Sequence, residues 1–418
     1  MELSIDDRNT LRELGTRYMT YALSEKNAEK RQLWRALNDG TMLKPMVAID
    51  QMPWNELDVD GFLNCTVADP YFRRVEWKLR SEIYKWERLP ADMVLNPYIL
   101  LPRPVGNTGY GLHAEHEALA VTDATSSVVS QRYVNQFREP EDIEKIKTPA
   151  VSIDRAAEAE LAALAQDVFD GIAPVRMQGI ILHLGFWDFI AQWMGVENCY
   201  IELMDRPEMM HAIMEKLTVA TLDEIGQINA LGLYDVNTNS CHCSYTFSDQ
   251  LPSVDCDRDG PTSRDGWAFG MAQLFTSVSP SITAEFEVPY MQRIFPHFGA
   301  IYYGCCDRLD DRLDVICRMP NIRKISCSPW SDRENFAANL PSQYIMSNKP
   351  NPALLAGPSF DEDAVRADLR RTIRAARKHG LRLELILKDI STVKYAPERL
   401  WRWAEIAEEE TCRERVPD

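Results

Sequence analysis

Short apolar runs recur along this chain, and several end in a residue capable of chemistry. Lys44 to Asp50 closes on a carboxylate, Gly179 to His183 on an imidazole, and Gly299 to Asp307 on two thiols and a carboxylate. Ile322 to Cys327, Gln343 to Lys349 and Leu381 to Asp389 repeat the arrangement. Met93 to Leu101 and Leu233 to Asn237 are two further runs of strand length. Between most of them lie stretches with apolar residues at helical spacing, such as Val365, Leu369, Ile373 and Ala376. Eight runs, near residues 45, 95, 180, 235, 300, 323, 344 and 383, alternate with helices. That alternation predicts an α/β chain built as a (β/α)8 TIM barrel. No glycine-rich phosphate loop follows a strand, which disfavours a nucleotide-binding open sheet.

Two segments stand outside the alternation. Residues 1–43 predict a helical N-terminal extension, with Leu11, Leu14, Tyr18 and Tyr21 on one face and Gly40 as a stop. Residues 103–178, between the second and third strands, predict an inserted lobe or lid. Its Val/Thr/Ser-rich patch at 119–135 reads as a hairpin, and 154–170 reads as a helix. The chain, 1–418, is expected to form one barrel domain with these two additions.

Charge narrows the partners. The net charge of -17 argues against nucleic acid and against a polybasic membrane anchor. No apolar run approaches the ~20 residues of a membrane span. The polar, acidic N-terminal stretch does not read as a secretory signal, so a cytoplasmic protein with reduced thiols is expected. Cys65, Cys199, Cys317 and Cys412 read as buried filler. A homodimer is carried as a candidate assembly.

In a barrel of this kind chemistry collects at the C-terminal ends of the strands. The expected rim holds Asp50, His183, the Cys241-His242-Cys243 cluster, Cys305, Cys306, Asp307, Cys327, Asn348, Lys349, Lys388 and Asp389. Thiolate and imidazole are ligands zinc prefers, with an open position in catalytic sites. His242, Cys243, Cys305, Cys306 and Cys327 are the metal-ligand candidates. On an extended chain Cys241 and Cys243 would face opposite to His242, so one ion would take all three only if the chain turned. Buried thiols with one structural histidine are the alternative. Asp307, Lys388 and Asp389 are acid–base or orienting candidates, with strand-end caps and ion pairs as the alternative. His113 and His116 share a helical spacing but read as an exposed polar loop.

Several segments in order resemble the uroporphyrinogen decarboxylase superfamily. They are His183 to Gly195, Glu202 to Glu208, Ser279-Pro280 through Tyr290, the 300–307 strand and Tyr344 to Pro352. The resemblance spans about 175–410 and implies a (β/α)8 barrel. Its members include porphyrinogen decarboxylases and zinc-dependent methyltransferases that work with corrinoid proteins or thiols. The decarboxylases' Arg-Gln-Ala-Gly-Arg segment is missing, since Glu13 to Arg17 does not match it. The methyltransferases' His-x-Cys falls on Tyr303 and Cys305, and their later cysteine falls near Lys388 and Asp389. The resemblance therefore implies a zinc-dependent methyltransferase moving a methyl group from a small methylated substrate to a corrinoid protein or a thiol. Asp50, His183, Tyr303, Asn348 and Lys349 are the substrate-binding candidates. A metal-free lyase or decarboxylase on a small acid is the alternative, and a non-catalytic barrel that binds a partner is a third reading.

Overall fold

The computed structural model describes residues 3–118, 131–251 and 260–413. Its centre is one parallel sheet of seven strands. They are β1 (Met46–Ile49), β2 (His183–Leu184), β3 (Trp267–Gly270), β4 (Ala300–Tyr303), β5 (Ile322–Cys327), β6 (Ile345–Asn348) and β7 (Arg382–Leu387). Their order is β1-β7-β6-β5-β4-β3-β2, so from β2 onward each strand lies beside the next in the chain. Helices occupy the crossovers: Pro280–Phe286 and Val288–Ile294 precede β4, Arg333–Asn339 precedes β6 and Glu362–Lys378 precedes β7. This is the arrangement of a TIM-like α/β protein.

Both faces of the sheet are buried, as parallel sheets require. Ile301, Tyr303, Ile325 and Cys327 point into the large core shared with the surrounding helices. Trp267, Phe269, Ala300 and Tyr302 gather on the other, concave face with Cys241 and Cys305. That face also holds charge. Lys324 and Glu384 meet there at 2.8 Å, and both side chains are essentially inaccessible.

The N-terminal helices α1 (Ile5–Ala22) and α2 (Glu25–Asp39) begin at serine caps, Ser4 and Ser24, each accepting a backbone N–H. Gly40 ends α2 at φ +113, as expected. Trp34 on α2 donates its indole N–H to the Asp92 carbonyl at 2.7 Å, and Asn38 donates to the carbonyls of Tyr245 and Phe247. Helix α3 (Pro70–Arg88) packs with α1 and the Ile99–Pro102 strand around a second core that includes Leu11, Phe72, Leu79 and Ile99.

Two expected strands change place. The Leu233–Asn237 run makes one parallel bridge, Ile180 to Tyr234. Asp235 then accepts the N–H groups of Asn237 and Thr238, and this side-chain turn ends the pairing. Trp267–Gly270 stands in the sheet instead. It is four residues long and shows no alternation, so the sequence pattern passes over it. The run near 95 pairs at Ile99–Pro102 with Val175–Gln178, outside the main sheet. Pro97 removes one ladder donor there, and a bond from Asp92 N–H to the Val47 carbonyl ties the segment to β1. The expected eight strands of one sheet are thus seven.

The 103–178 segment contains the pairs Val105–Asn107 with Val151–Ile153 and His116–Ala118 with Gln131–Tyr133, then a helix at Arg155–Val168. Residues 119–130 of the expected hairpin lie outside the described residues. No helix of the described residues is long and apolar enough to cross a membrane.

Candidate functional site

A small hairpin lies against the concave face of the sheet. Ser240–Cys241 pairs with Ser244–Tyr245, and only His242 and Cys243 form the turn. Both adopt positive φ, 43° and 70°. Two consecutive left-handed residues define the tight turn that matches strand twist, a geometry that normally selects Asn and Gly. Here it carries an imidazole and a thiol. The stem is anchored below: Lys324 Nζ donates to Ser244 Oγ at 2.7 Å and to the Tyr245 carbonyl at 3.0 Å, and Ser244 donates to Glu384. Strict alternation of facing through 241–243 is therefore replaced by a turn. Cys241 stays buried in the concave core, while His242 stacks on Phe269 with ring centroids 3.6 Å apart.

The end of β4 meets the hairpin tip. Alternation along a regular strand would put Tyr303 and Cys305 on one face. Gly304, at φ +88, breaks the alternation, and a Cβ there would come within 2.6 Å of Leu309. Tyr303 thus points to the outer helices, where its hydroxyl donates to Glu287 at 3.2 Å, while Cys305 turns into the concave face. Asp307 fixes this end by accepting the Cys305 N–H at 2.7 Å, and Ser326 donates to the Cys305 carbonyl.

Around the Cys305 sulfur the contacts are close. His242 Nε2 lies at 3.2 Å, Lys388 Nζ at 2.9 Å and Cys306 Sγ at 3.6 Å. Lys388 also reaches His242 Nε2 at 3.1 Å and Asp389 at 3.3 Å. Cys306 donates to Asp389 Oδ2 at 2.8 Å. The contact with Cys306 comes first in holding the Cys305 thiol well below its ordinary value; burial opposes it, and His242 and Lys388 add to it. Cys306 is correspondingly pushed up, by the same contact and then by burial. Burial pulls the Lys388 ammonium down, but Cys305, Cys306 and Asp389 outweigh it and hold Lys388 above its usual range. The arrangement stabilises a thiolate on Cys305, a thiol on Cys306 and an ammonium on Lys388.

Beneath this cluster lies a second cation. Lys349 contacts the hydroxyls of Tyr302 and Ser347, which also bond each other at 2.7 Å. Burial lowers the Lys349 ammonium to a pKa of about 8, with Glu384 opposing. On the other flank stand three carboxyl groups that sequence reading did not single out together. Asp188 is pushed up to about 7 by burial, then by Asp307 and Cys305. Asp307 is pushed up to about 6, mainly by burial, and fully buried Glu287 is raised further in the same direction. Burial thus favours the protonated form of Asp188 beside the cluster, and of Glu287 among the outer helices.

The expected rim residues divide into three groups. His242, Cys305, Cys306, Asp307, Lys388 and Asp389 are brought together. His183, Cys243, Lys349 and Asp50 border them. His183 keeps an exposed edge, stands 6.5 Å from the His242 ring and is driven down to about 4 by burial and then by His242. Cys243 is pushed up to about 12, by burial and then by Asp50. Asp50 pairs with Lys85 at 3.3 Å. Cys327, Asn348 and Tyr303 are not brought to the cluster. Cys327 belongs to the outer core, Asn348 accepts from Thr372 of the 362–378 helix, and Tyr303 faces Glu287. The nine described cysteines are free thiols, and Cys412 is exposed, contrary to its reading as buried filler. His116 lies in a strand pair, stacked edge-on with Tyr133.

Phe269, Tyr302 and Ser347 were missed. Phe269 sits on the unrecognised strand, and Tyr302 and Ser347 each neighbour a more conspicuous rim residue. The signal that could have found the last two is alternation, which places Tyr302 and Ser347 on the concave face.

The donor atoms of Cys305, Cys306 and Asp389 all lie within 4.8 Å of one another, which fits a single ion. Two sulfurs and one carboxylate form a donor set suited to zinc, with a fourth position open. Among known proteins, no family model matches the sequence. No curated protein matches it. Among solved structures, a methyltransferase from Methanosarcina mazei is similar, with a TM-score of 0.49 and 12% identity over 91% of this chain and 97% of that one.

Proposed function

We propose that the chain is a methyltransferase that takes a methyl group from a small methylated substrate and passes it to a corrinoid protein or a thiol. The observation that carries this reading is the close approach of Lys388, His242 and Cys306 to the Cys305 sulfur at a strand end, a setting that favours a thiolate. The order of segments resembling the uroporphyrinogen decarboxylase superfamily supports it, as do the seven parallel strands that we read as most of a closed barrel. Cys305, Cys306 and Asp389 would hold zinc. When bound, the metal would act as a Lewis acid and keep thiolates deprotonated at neutral pH.

The chain's own groups have separable tasks. Lys388 holds negative charge on Cys305 and orients Asp389. His242 presses on Phe269 and points Nε2 at the sulfur, which fixes the direction of approach. Asp188, with its raised pKa, can hold a proton for a departing amine or alkoxide. His183 and Asp50 border the cluster as substrate contacts, and a cytoplasmic location fits the free thiols.

A second reading has its own support. Lys388 Nζ already contacts the Cys305 sulfur, where an ammonium competes with a metal for the same lone pairs. Together with Lys349 this favours a metal-free lyase acting on a small acid. Zinc titration of metal-stripped protein decides between them. One equivalent bound by the wild type and lost in C305S supports the methyltransferase reading. Protein that binds no zinc under any condition removes its metal chemistry and leaves the lyase.

A further inference from the structure

A cavity of about 330 Å³ lies between α1, α3, the Ile99–Pro102 and Val175–Gln178 strand pair, and the Thr238–Asn239 approach to the hairpin. None of its lining residues belongs to the Cys305 cluster. Its volume is at the small end of ligand pockets, large enough for a flat molecule of one or two rings.

Three features of its wall describe what would fit. The first is aromatic surface. Tyr18, Trp77 and Tyr98 line it with Leu79 and Ile99, and Trp77 is 36% exposed. A large apolar side chain left open on a concave wall favours a flat apolar partner. The second is an unmet acceptor. Asn96 lines the cavity, is only 7% exposed, and has no hydrogen-bond partner on its side-chain oxygen. Its amide nitrogen reaches the Asn237 carbonyl at 3.4 Å and its backbone N–H bonds the Tyr18 hydroxyl, so the oxygen is the group left without a donor. A buried acceptor in that condition stays desolvated and uncompensated until a donor arrives. The third is charge. Arg74 lines the cavity, lies over the Tyr71 ring at 5.5 Å, and makes no ion pair among the described residues. Lys78 also lines it, and its carboxylate partner Glu82 is shared with Lys85. The wall therefore carries more positive than negative charge, although the whole chain is acidic.

We propose that this cavity is a second ligand site, distinct from the Cys305 cluster, for a planar aromatic carboxylate that also carries a hydrogen-bond donor. The ring lies against Trp77, the carboxylate meets Arg74, and the donor satisfies the Asn96 oxygen. Binding involves no covalent step. The inference does not depend on the methyltransferase reading.

Calorimetric titration of the full chain with 6-hydroxy-2-naphthoate tests it. The expected result is saturable one-site binding, weakened several-fold for 2-naphthoate, which lacks the donor, and for 2-naphthol, which lacks the carboxylate. Arg74→Gln is expected to weaken the naphthoates at least tenfold and to leave 2-naphthol unchanged. Arg74 is exposed, so the variant should melt like the wild type; if it melts lower, Arg74→Lys must retain part of the carboxylate preference. Alkylation of Cys305 is expected to leave binding intact. The proposal is overturned by no saturable binding up to about 1 mM, by equal affinity in wild type and Arg74→Gln, by loss of carboxylate preference in Arg74→Lys as well, or by loss of binding on alkylation. That last outcome would put the ligand at the Cys305 cluster instead.

Discussion

Lys388 Nζ stands 2.9 Å from Cys305 Sγ, and this one contact joins the end of β7 to the end of β4 across the concave face. The ammonium also touches His242, so it draws the hairpin into the same cluster. Removing its charge should release the thiolate. In Lys388→Met the alkylation of Cys305 by iodoacetamide is expected to need a higher pH than in wild type. The wild-type midpoint should fall below the free-thiol value of about 8.5. Coincident midpoints in the two proteins would show that Lys388 does not control the sulfur.

Metal binding should release protons in a predictable number. The contacts favour the thiolate on Cys305 and the thiol on Cys306, so seating zinc on Cys305, Cys306 and Asp389 should displace about one proton. Calorimetry in two buffers of different ionisation enthalpy reads that number directly. Release of about two would mean that Cys305 is protonated before the metal arrives.

The Lys324–Glu384 pair makes a stability prediction. Both groups are buried at 2.8 Å, and Glu384 also accepts from Ser244. Lys324→Met leaves the buried carboxylate without its hydrogen-bonded cation, with Lys349 as the remaining positive charge, and should cost about 3–5 kcal/mol in urea unfolding. The double variant Lys324→Met with Glu384→Leu should recover much of that loss, because a well-packed apolar pair avoids desolvating two charges.

Lys30 gives a pH dependence away from the site. Its ammonium donates to the Ala91 carbonyl and faces the Trp86 ring, and burial, partly offset by Asp92, lowers its pKa from 10.5 to about 8. Below about pH 8 the lysine is charged in both folded and unfolded chains, and the burial penalty is fully present. Between about 8 and 10.5 the unfolded chain binds more protons, so Lys30 makes stability rise with pH across that window. Lys30→Met should flatten this rise, as followed by thermal unfolding at several pH values. An unchanged slope would exclude Lys30 as its source.

The hairpin turn should trade stability for chemistry. Cys243 adopts φ +70, a conformation that costs an L-residue about 1–2 kcal/mol. Cys243→Gly is expected to raise the melting temperature while leaving the alkylation profile of Cys305 in place. His242→Gly relieves the same kind of turn but removes the ring stacked on Phe269, so it should gain less stability than Cys243→Gly, and it should shift that profile upward, since His242 is a direct partner of the sulfur.

Much of this arrangement was legible in the sequence because parallel strands write themselves as apolar runs. Ala300–Tyr303, Ile322–Cys327, Ile345–Asn348 and Arg382–Leu387 lie where the pattern put them. Trp267–Gly270 was not legible, because four residues ending in glycine carry no period. The hairpin was hidden for a different reason: a turn built from His and Cys lacks the Asn and Gly that announce one. Cys305, Cys306, Lys388 and Asp389 were foreseeable as strand ends. That Tyr303 faces away depends on Gly304, whose effect on facing appears only once its backbone angle is known. The pairing of Asp188 with Asp307 is a matter of tertiary packing, for which neither local segment carries a sign.

The hairpin of Ser240–Tyr245 divides its labour between stem and tip. The stem is bound to Lys324 and Glu384 beneath the site, whereas the tip presents His242 to the sulfur, with Cys243 beside it in the turn. The tip is therefore an interchangeable tool head on a fixed shank. Residues 242 and 243 belong to no strand of the main sheet, so the groups facing Cys305 from this side are set by a two-residue turn and not by the scaffold's own strands.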